Sequence, residues 1–234
     1  MKAIGIIGGM SWESSIEYYR IINQLVQKKL GGLHSAKSVM VSIDFGPVEA
    51  LMAQGAWDQV AGHLTEAARE VESARADLLL IATNTMHKLY DQVSEAVSIP
   101  VLHIADAAAA SILETGLTRV GLLGTRYTME QDFYSGRLEG KFGLSVLIPD
   151  ENEREMVDRI IFEELVLGII KPESKAAYIR IIEALVSRGA QGVVLGCTEI
   201  PLLVQFKDVP VPLFDTTYLH AEMAVRVALG ERAV

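Results

Sequence analysis

Short apolar runs alternate with longer amphipathic stretches along this chain of 234 residues. Lys2 to Ile7 predicts a buried strand, and Gly8-Gly9-Met10-Ser11 a tight turn in which Ser11 is a candidate N-cap. Ile16, Tyr19, Ile22, Val26 and Leu30 then recur at helical spacing until Gly31-Gly32 stops the helix. Ser38 to Phe45 reads as a second strand. Trp57 to Arg75 reads as a helix with Val60, Leu64, Ala67 and Val71 on one face. A third strand at Asp77 to Ala82, a helix at Met86 to Val97 and a short strand at Pro100 to Ile104 follow. The pattern then starts again. Ala105 to Gly116 predicts a helix, Arg119 to Gly124 a strand, Glu130 to Phe142 a helix and Leu144 to Ile148 a strand. Two amphipathic helices, Glu151 to Gly168 and Glu173 to Arg188, lead to a strand at Gln191 to Gly196. Val211 to Phe214 is a last short strand and Thr217 to Leu229 the final helix.

Strands that alternate with helices imply parallel sheets wrapped by helices, an α/β fold. A weak internal repeat divides it. The stretch from Gly5 to Ser11 resembles Gly121 to Thr125, and the turn at Thr83 resembles the turn at Cys197. Gly8 to Gly124 spans 116 positions (124 minus 8) and Thr83 to Cys197 spans 114 (197 minus 83). Two nearly equal offsets predict two pseudo-symmetric domains, each a four-stranded parallel sheet flanked by helices, with the active site in the interdomain cleft. The first is expected at 1–104 plus 213–234 and the second at 105–212.

Composition narrows the function classes. Half of the residues are apolar, enough for a sizeable core. No apolar run approaches the roughly 18 residues that span a bilayer. The opening apolar run is too short for a signal peptide and leads straight into a charged helix. A cytoplasmic protein with no membrane association is expected. One cysteine excludes an internal disulfide and a cysteine-rich zinc site. A net charge of −9 argues against a nucleic-acid partner, though backbone N–H groups can still bind a small anion.

The candidate chemistry sits in the turns. Gly192 to Gly196 runs as a strand into Cys197-Thr198-Glu199-Ile200-Pro201, so the one thiol stands at a strand's carboxyl end, where open α/β sheets bind ligands. Amide dipoles at that place are expected to favour the thiolate and lower its pKa. The alternative is a small buried hydrophobe. Leu78 to Ala82 leads in the same way into Thr83-Asn84-Thr85. That trio reads either as a helix cap or as a carboxylate cradle, and Thr125 and Thr128 carry the same two readings. His87, one turn into a helix, is expected at the surface or in a cap, and Glu163-Glu164 on a solvated face. No His and carboxylate spacing fits a metal site. Gly5, Gly8 and Gly9 do not match the dinucleotide fingerprint, and no phosphate loop occurs.

Four motifs together resemble the aspartate/glutamate racemase family: Gly8-Gly9-Met10-Ser11, Asn84-Thr85-Met86-His87, Gly124 to Met129, and Gly196-Cys197-Thr198-Glu199-Ile200. The resemblance covers essentially the whole chain. It implies two pseudo-symmetric α/β domains, a homodimer, a free amino acid as substrate, a role in D-amino acid metabolism and no cofactor, pyridoxal phosphate included. It also implies two cysteines, one on each face of the substrate Cα. Here the first motif reads Thr83-Asn84-Thr85 where the family has Cys-Asn-Thr, so Cys197 remains without its partner thiol. A threonine hydroxyl is far too weak an acid to serve as an equivalent base.

The resemblance therefore implies Cys197 and Thr83 as catalytic residues of an aspartate or glutamate racemase that favours the L-enantiomer. Met10, Asn84, Thr85, Thr125, Thr198 and Glu199 would bind the substrate. Two other readings stay open. One is a single-cysteine decarboxylase or isomerase of small dicarboxylates; the other is a catalytically silent amino-acid-binding protein. The residue that reads the substrate side chain, with Met52 or Gln54 near the expected place, is left open.

Overall fold

A computed structural model describes residues 1–232. They fold into two units, Met1–His103 together with the stretch that begins at His220, and Ile104–Leu219. Each unit contains one four-stranded parallel sheet, with strand order β2-β1-β3-β4 in the first and β6-β5-β7-β8 in the second. The identical order is the structural counterpart of the internal repeat.

In the first unit β1 (Ile4–Gly8) and β3 (Leu78–Ile81) are the central strands, flanked by β2 (Ser38–Ser42) and the two-residue β4 (Val101–Leu102). Leu78, Leu79, Leu80 and Ile81 are all fully buried. That continuous apolar run is what a parallel strand covered on both faces requires, and each such side chain contributes about 1.5–3 kcal/mol by leaving water. The helices are α1 (Trp12–Leu30), α2 (Phe45–Ala53), α3 (Trp57–Ser73) and α4 (Tyr90–Glu95). Ser11 caps α1, its hydroxyl accepting from Ser14 N at 3.3 Å. The buried face of α1 carries Tyr18, Ile21, Ile22, Leu25 and Val26. Ile16, Tyr19 and Leu30, expected on that face, are exposed, because Tyr18 and Leu25 set its direction and both neighbouring registers satisfied the periodicity.

In the second unit β5 (Arg119–Gly124) and β7 (Val193–Gly196) are central, with β6 (Ser145–Leu147) and β8 (Leu213–Asp215) outside them. Its helices are α5 (Ile104–Glu114), α6 (Arg126–Glu130), α7 (Asp132–Phe142), α8 (Glu151–Glu163), α9 (Pro172–Ser187) and α10 (Ile200–Leu203), and α11 (Thr216–Ala228) closes the chain. Asp150 and Glu153 form a reciprocal capping box at the start of α8. A core of Val157, Ile160, Ile161, Tyr178, Ile181, Ile182 and Leu185 packs α8 and α9 on Val193, Leu195 and Cys197.

Several element boundaries differ from expectation. Residues 213–219 were expected with the first domain, but Leu213–Asp215 is hydrogen-bonded to β7, so the chain returns to the first unit only after Leu219. The strand expected over 38–45 ends at Ser42, and Asp44 caps the unanticipated α2, accepting from Gly46 N at 3.3 Å. The helix expected over 86–97 begins as a 3-10 turn, Thr85–Leu89, before α4. The one expected over 151–168 stops at Glu163, and Gly168 ends the 3-10 turn that follows in the left-handed conformation. Glu164 is not on a solvated face. It is buried, with Ser174 Oγ donating to its carboxylate at 2.6 Å and Lys171 Nζ at 3.2 Å.

Candidate active site

In the first unit, register places Ile7 of β1 beside Ile81 of β3. The turns that leave these strands, Gly9-Met10-Ser11 and Thr83-Asn84-Thr85, therefore start from neighbouring points at the carboxyl edge of one sheet. Met10, Thr83, Asn84 and Thr85 are all buried. Ser15 Oγ accepts from Gly9 N at 2.7 Å and donates to Ser11 O at 3.0 Å. A Cβ on Gly8 would stand 2.5 Å from that hydroxyl, which explains glycine there.

The Thr83 turn is tightened by its own backbone. Thr83 N donates to Ile81 O at 2.8 Å, a three-residue turn, and His87 N donates to Asn84 O at 3.0 Å. Asn84 makes no side-chain cap to the helix that follows, so the simple capping role is not the one its amide performs. His87 is 2 % exposed, not at the surface as expected. Its ring lies 4.6 Å from that of His103 and 5.6 Å from that of His220, centroid to centroid. Tyr18 OH donates to His220 Nδ1 at 2.9 Å, and His220 Nε2 donates to Leu102 O at 3.0 Å. The separation of these histidines in sequence hid this buried cluster.

In the second unit, Gly124 of β5 pairs with Gly196 of β7, so the Thr125 turn and the Cys197 turn also leave from neighbouring points. A Cβ on Gly124 would lie 2.7 Å from Gly196 O and 3.1 Å from Thr128 Cβ, so both strands need glycine at this edge. Thr125 caps α6, accepting from Thr128 N at 3.3 Å, and the two hydroxyls are 3.2 Å apart. Cys197, Thr198 and Glu199 are buried. The Cys197 thiol donates to Glu199 Oε2 at 3.0 Å, and Thr198 Oγ1 donates to the same oxygen at 2.7 Å.

This geometry reverses the expected electrostatics of the thiol. Burial pushes the Cys197 pKa well up, and the Glu199 carboxylate beside it pushes it further. Asp158 of α8 acts in the same direction. The dipoles of the β7–α10 turn do not overcome them, since α10 has four residues and its amides make a weak field. Burial also raises the Asp158 carboxyl and the Tyr178 phenol, whose hydroxyl donates to Val157 O at 3.1 Å. The raised pKa keeps Cys197 a thiol at neutral pH, hydrogen-bonded to the Glu199 side chain. Glu199, expected to bind substrate, turns its carboxylate toward the thiol.

Met52 is buried and Gln54, at the C-cap of α2, is exposed. Among the described residues, no group of three or more His, Cys, Asp or Glu side chains is arranged to hold a metal ion, and no helix is long and apolar enough to cross a membrane.

Residues 7–224 match the family model for Asp/Glu/hydantoin racemases. The chain belongs to the Asp/Glu/hydantoin racemase family. Its curated relatives include the broad specificity amino-acid racemase RacX of Bacillus subtilis, 22 % identical over 97 % of this chain and 98 % of the relative. Among solved structures, a candidate Asp/Glu racemase from Yersinia pestis is 53 % identical, covers 98 % of this chain and all of its own, and superposes with a TM-score of 0.92. An aspartate racemase homologue from Pyrococcus horikoshii is 38 % identical, with a TM-score of 0.86 over 98 % of this chain and 100 % of its own. Glutamate racemase from Francisella tularensis shares the fold at 16 % identity, with a TM-score of 0.67 over 98 % of this chain and 82 % of its own. The racemases among these relatives are isomerases.

Proposed function

We propose that this chain is a cofactor-independent racemase of free amino acids, with aspartate and glutamate first among its substrates. Cys197 would take the Cα proton of the L-enantiomer, and Thr83 would serve the opposite face of the same carbon. Met10, Asn84, Thr85, Thr125 and Thr198 would hold the α-carboxylate and ammonium, in part through backbone N–H groups. The observation that carries this reading is the buried thiol at the carboxyl end of a central strand, hydrogen-bonded to the Glu199 side chain at 3.0 Å.

A thiol whose pKa is raised is a scarcer base but a stronger one, so proton abstraction from a carbon acid gains driving force once the thiolate forms. The charge left on the substrate has to be stabilised by fixed donors in a dry site, a role this reading would give to buried hydroxyls such as those of Thr85, Thr125 and Thr198. With no thiol at position 83, return of a proton to the far face is slow. L-amino acids should then exchange their Cα proton faster than D-amino acids.

Deuterium wash-in at Cα, followed for both enantiomers of aspartate and glutamate, tests the reading. Exchange from L faster than from D supports it; no exchange from either rejects it. One observation favours a second reading: a thiol that keeps its proton suits donation to a single face, as in a decarboxylase or isomerase of small dicarboxylates. Turnover of arylmalonate or maleate without amino-acid exchange would select that alternative. A Cys197→Ser variant that still binds amino acids as well as an inactive wild type would mark a silent binding protein.

The proposal includes a homodimer in the cytoplasm, where a reducing milieu suits a lone thiol. Trp12, Ile16 and Tyr19 form an exposed apolar stripe on α1 in accord with self-association. Sedimentation velocity would read the oligomeric state.

A further inference from the structure

We infer that Thr217 is a specificity-determining residue, its hydroxyl donating to the distal carboxylate of an acidic amino acid whose Cα lies at Cys197. The inference rests on the racemase reading above and extends it to the substrate side chain.

The first observation is an orphaned hydroxyl. Thr217 is 2 % exposed, and its Oγ1 has no hydrogen-bond partner among the described residues. Its neighbours in the β8–α11 turn are tied into the fold. Thr216 Oγ1 donates to Leu195 O at 2.8 Å. Asp215 Oδ1 accepts from Thr217 N at 2.9 Å and from Tyr218 N at 3.1 Å, so those two amides are already taken. Thr217 stands in the first turn of α11, where no helical carbonyl lies behind it to accept its proton. Burying a hydroxyl without a partner is unfavourable. The carboxyl edge of a parallel sheet is where such folds bind ligands. An unpaired donor at that edge fits a group kept for a molecule that comes from outside the chain.

The second observation is register. β7 and β8 are parallel neighbours, with Leu195 opposite Asp215. Cys197 and Thr217 each lie two residues beyond that pair. Both therefore leave the sheet at the same level, from strands about 4.8 Å apart. On the other side of β7 lies β5, where Gly124 pairs with Gly196 and Thr125 follows. The thiol turn thus has a threonine turn on either hand.

The two flanks divide the substrate between them. In the racemase reading Thr125, on the β5 side, helps to hold the α-carboxylate. With Cα at Cys197, the side chain then extends along the sheet edge toward β8, where Thr217 is. A hydroxyl has a proton to give, and a carboxylate oxygen accepts it in a charge-assisted bond. An apolar side chain leaves the hydroxyl nothing to donate to, and the site selects against it on that account.

The test is Thr217→Val, which keeps the side-chain shape and removes the hydroxyl, beside Thr217→Ser, which keeps the hydroxyl. Two measurements are needed: kcat and KM for Cα exchange from L-aspartate and from L-alanine, and thermal unfolding without substrate. In Thr217→Val the KM for L-aspartate should rise at least about tenfold, with kcat changing less. The preference for L-aspartate over L-alanine, as a ratio of kcat/KM values, should fall by a similar factor. Thr217→Ser should restore it, and a serine variant as impaired as the valine one overturns the inference. Thr217→Val should unfold at the same or a higher temperature, because an unpaired buried polar group is gone. A hydroxyl that serves only an ordered water gives the opposite pattern, a lower unfolding temperature with the preference unchanged. An unchanged preference overturns the inference whatever the stability. If Thr217→Val does not fold, Thr217→Ala carries the same comparison. If the wild type exchanges the Cα proton of no amino acid, the racemase reading fails on its own. Calorimetric titration with L-aspartate then judges the contact, and equal affinities for wild type and Thr217→Val overturn it.

Discussion

His87 Nδ1 donates a 2.8 Å hydrogen bond to the carbonyl oxygen of Thr83. A carbonyl can only accept, so the ring must carry its proton on Nδ1 in that bond. The contact crosses one turn and engages the Thr83 carbonyl, while the Thr83 N–H donates to Ile81 O. The His103 ring, 4.6 Å away, stacks obliquely against His87 and against Tyr90. The histidine that looked peripheral in sequence is the brace of the first-unit turn.

Replacing His87 with Phe keeps the ring volume and removes the donor. We expect a loss of about 1–3 kcal/mol from a buried carbonyl stripped of its partner. A urea titration reads the stability. Exchange from L-aspartate, measured on the folded variant, should fall through kcat, and an unchanged kcat would show that the brace does not bear on Thr83.

Thr83→Cys places a thiol where the chain has a hydroxyl. A thiol is an effective acid and base near neutral pH and a hydroxyl is not. Exchange from the D-enantiomer should rise by at least about tenfold, within the range general acid–base groups supply, while exchange from L changes less. Parallel deuterium wash-in from L- and D-aspartate gives both rates. An unaltered D rate would remove Thr83 from the reaction.

The raised Cys197 pKa makes stability depend on alkaline pH. The folded pKa lies above the unfolded thiol value of about 8.5, so the native state keeps its proton longer than the unfolded chain does. The contribution is therefore full below that value and is lost as pH rises through the folded pKa, with a slope of up to about 1.4 kcal/mol per pH unit. Tyr178, also raised, adds a slope of its own at higher pH. Cys197→Ala should flatten the alkaline limb relative to wild type, whatever it does to the baseline. Denaturant unfolding across alkaline pH compares the two limbs, and parallel limbs would contradict the assignment.

Gly124→Ala should be poorly tolerated although the added group is one methyl. The new Cβ would meet Gly196 O at 2.7 Å, and backbone cannot retreat without parting β5 from β7. Overpacking of this kind costs about 1–3 kcal/mol. Gly140→Ala, where no atom lies within 4 Å, is the control and should be near neutral or better in its helix. Thermal denaturation of the two variants separates a close-approach requirement from a general effect of losing glycine.

The sequence by itself determined the strand–helix alternation, the division into two four-stranded halves and the turns that hold the candidate chemistry. These are local properties: burial on both faces writes an unbroken apolar run such as Leu78 to Ile81, and a tight exit from a strand writes Gly8 or Gly124. The family likewise rested on four short motifs in one order. Tertiary structure alone decided the rest. Which stripe of α1 faces the core depended on what it meets, and periodicity admitted either Tyr18 or Tyr19. The last strand joined the second sheet because hydrogen bonding to β7, and not chain order, sets the partner. His87, His103 and His220 became one cluster only through folding. The sign of the Cys197 shift followed from burial and from where the Glu199 carboxylate points. A sequence shows that an acid stands two positions from a thiol; only the folded turn shows that the two share a hydrogen bond.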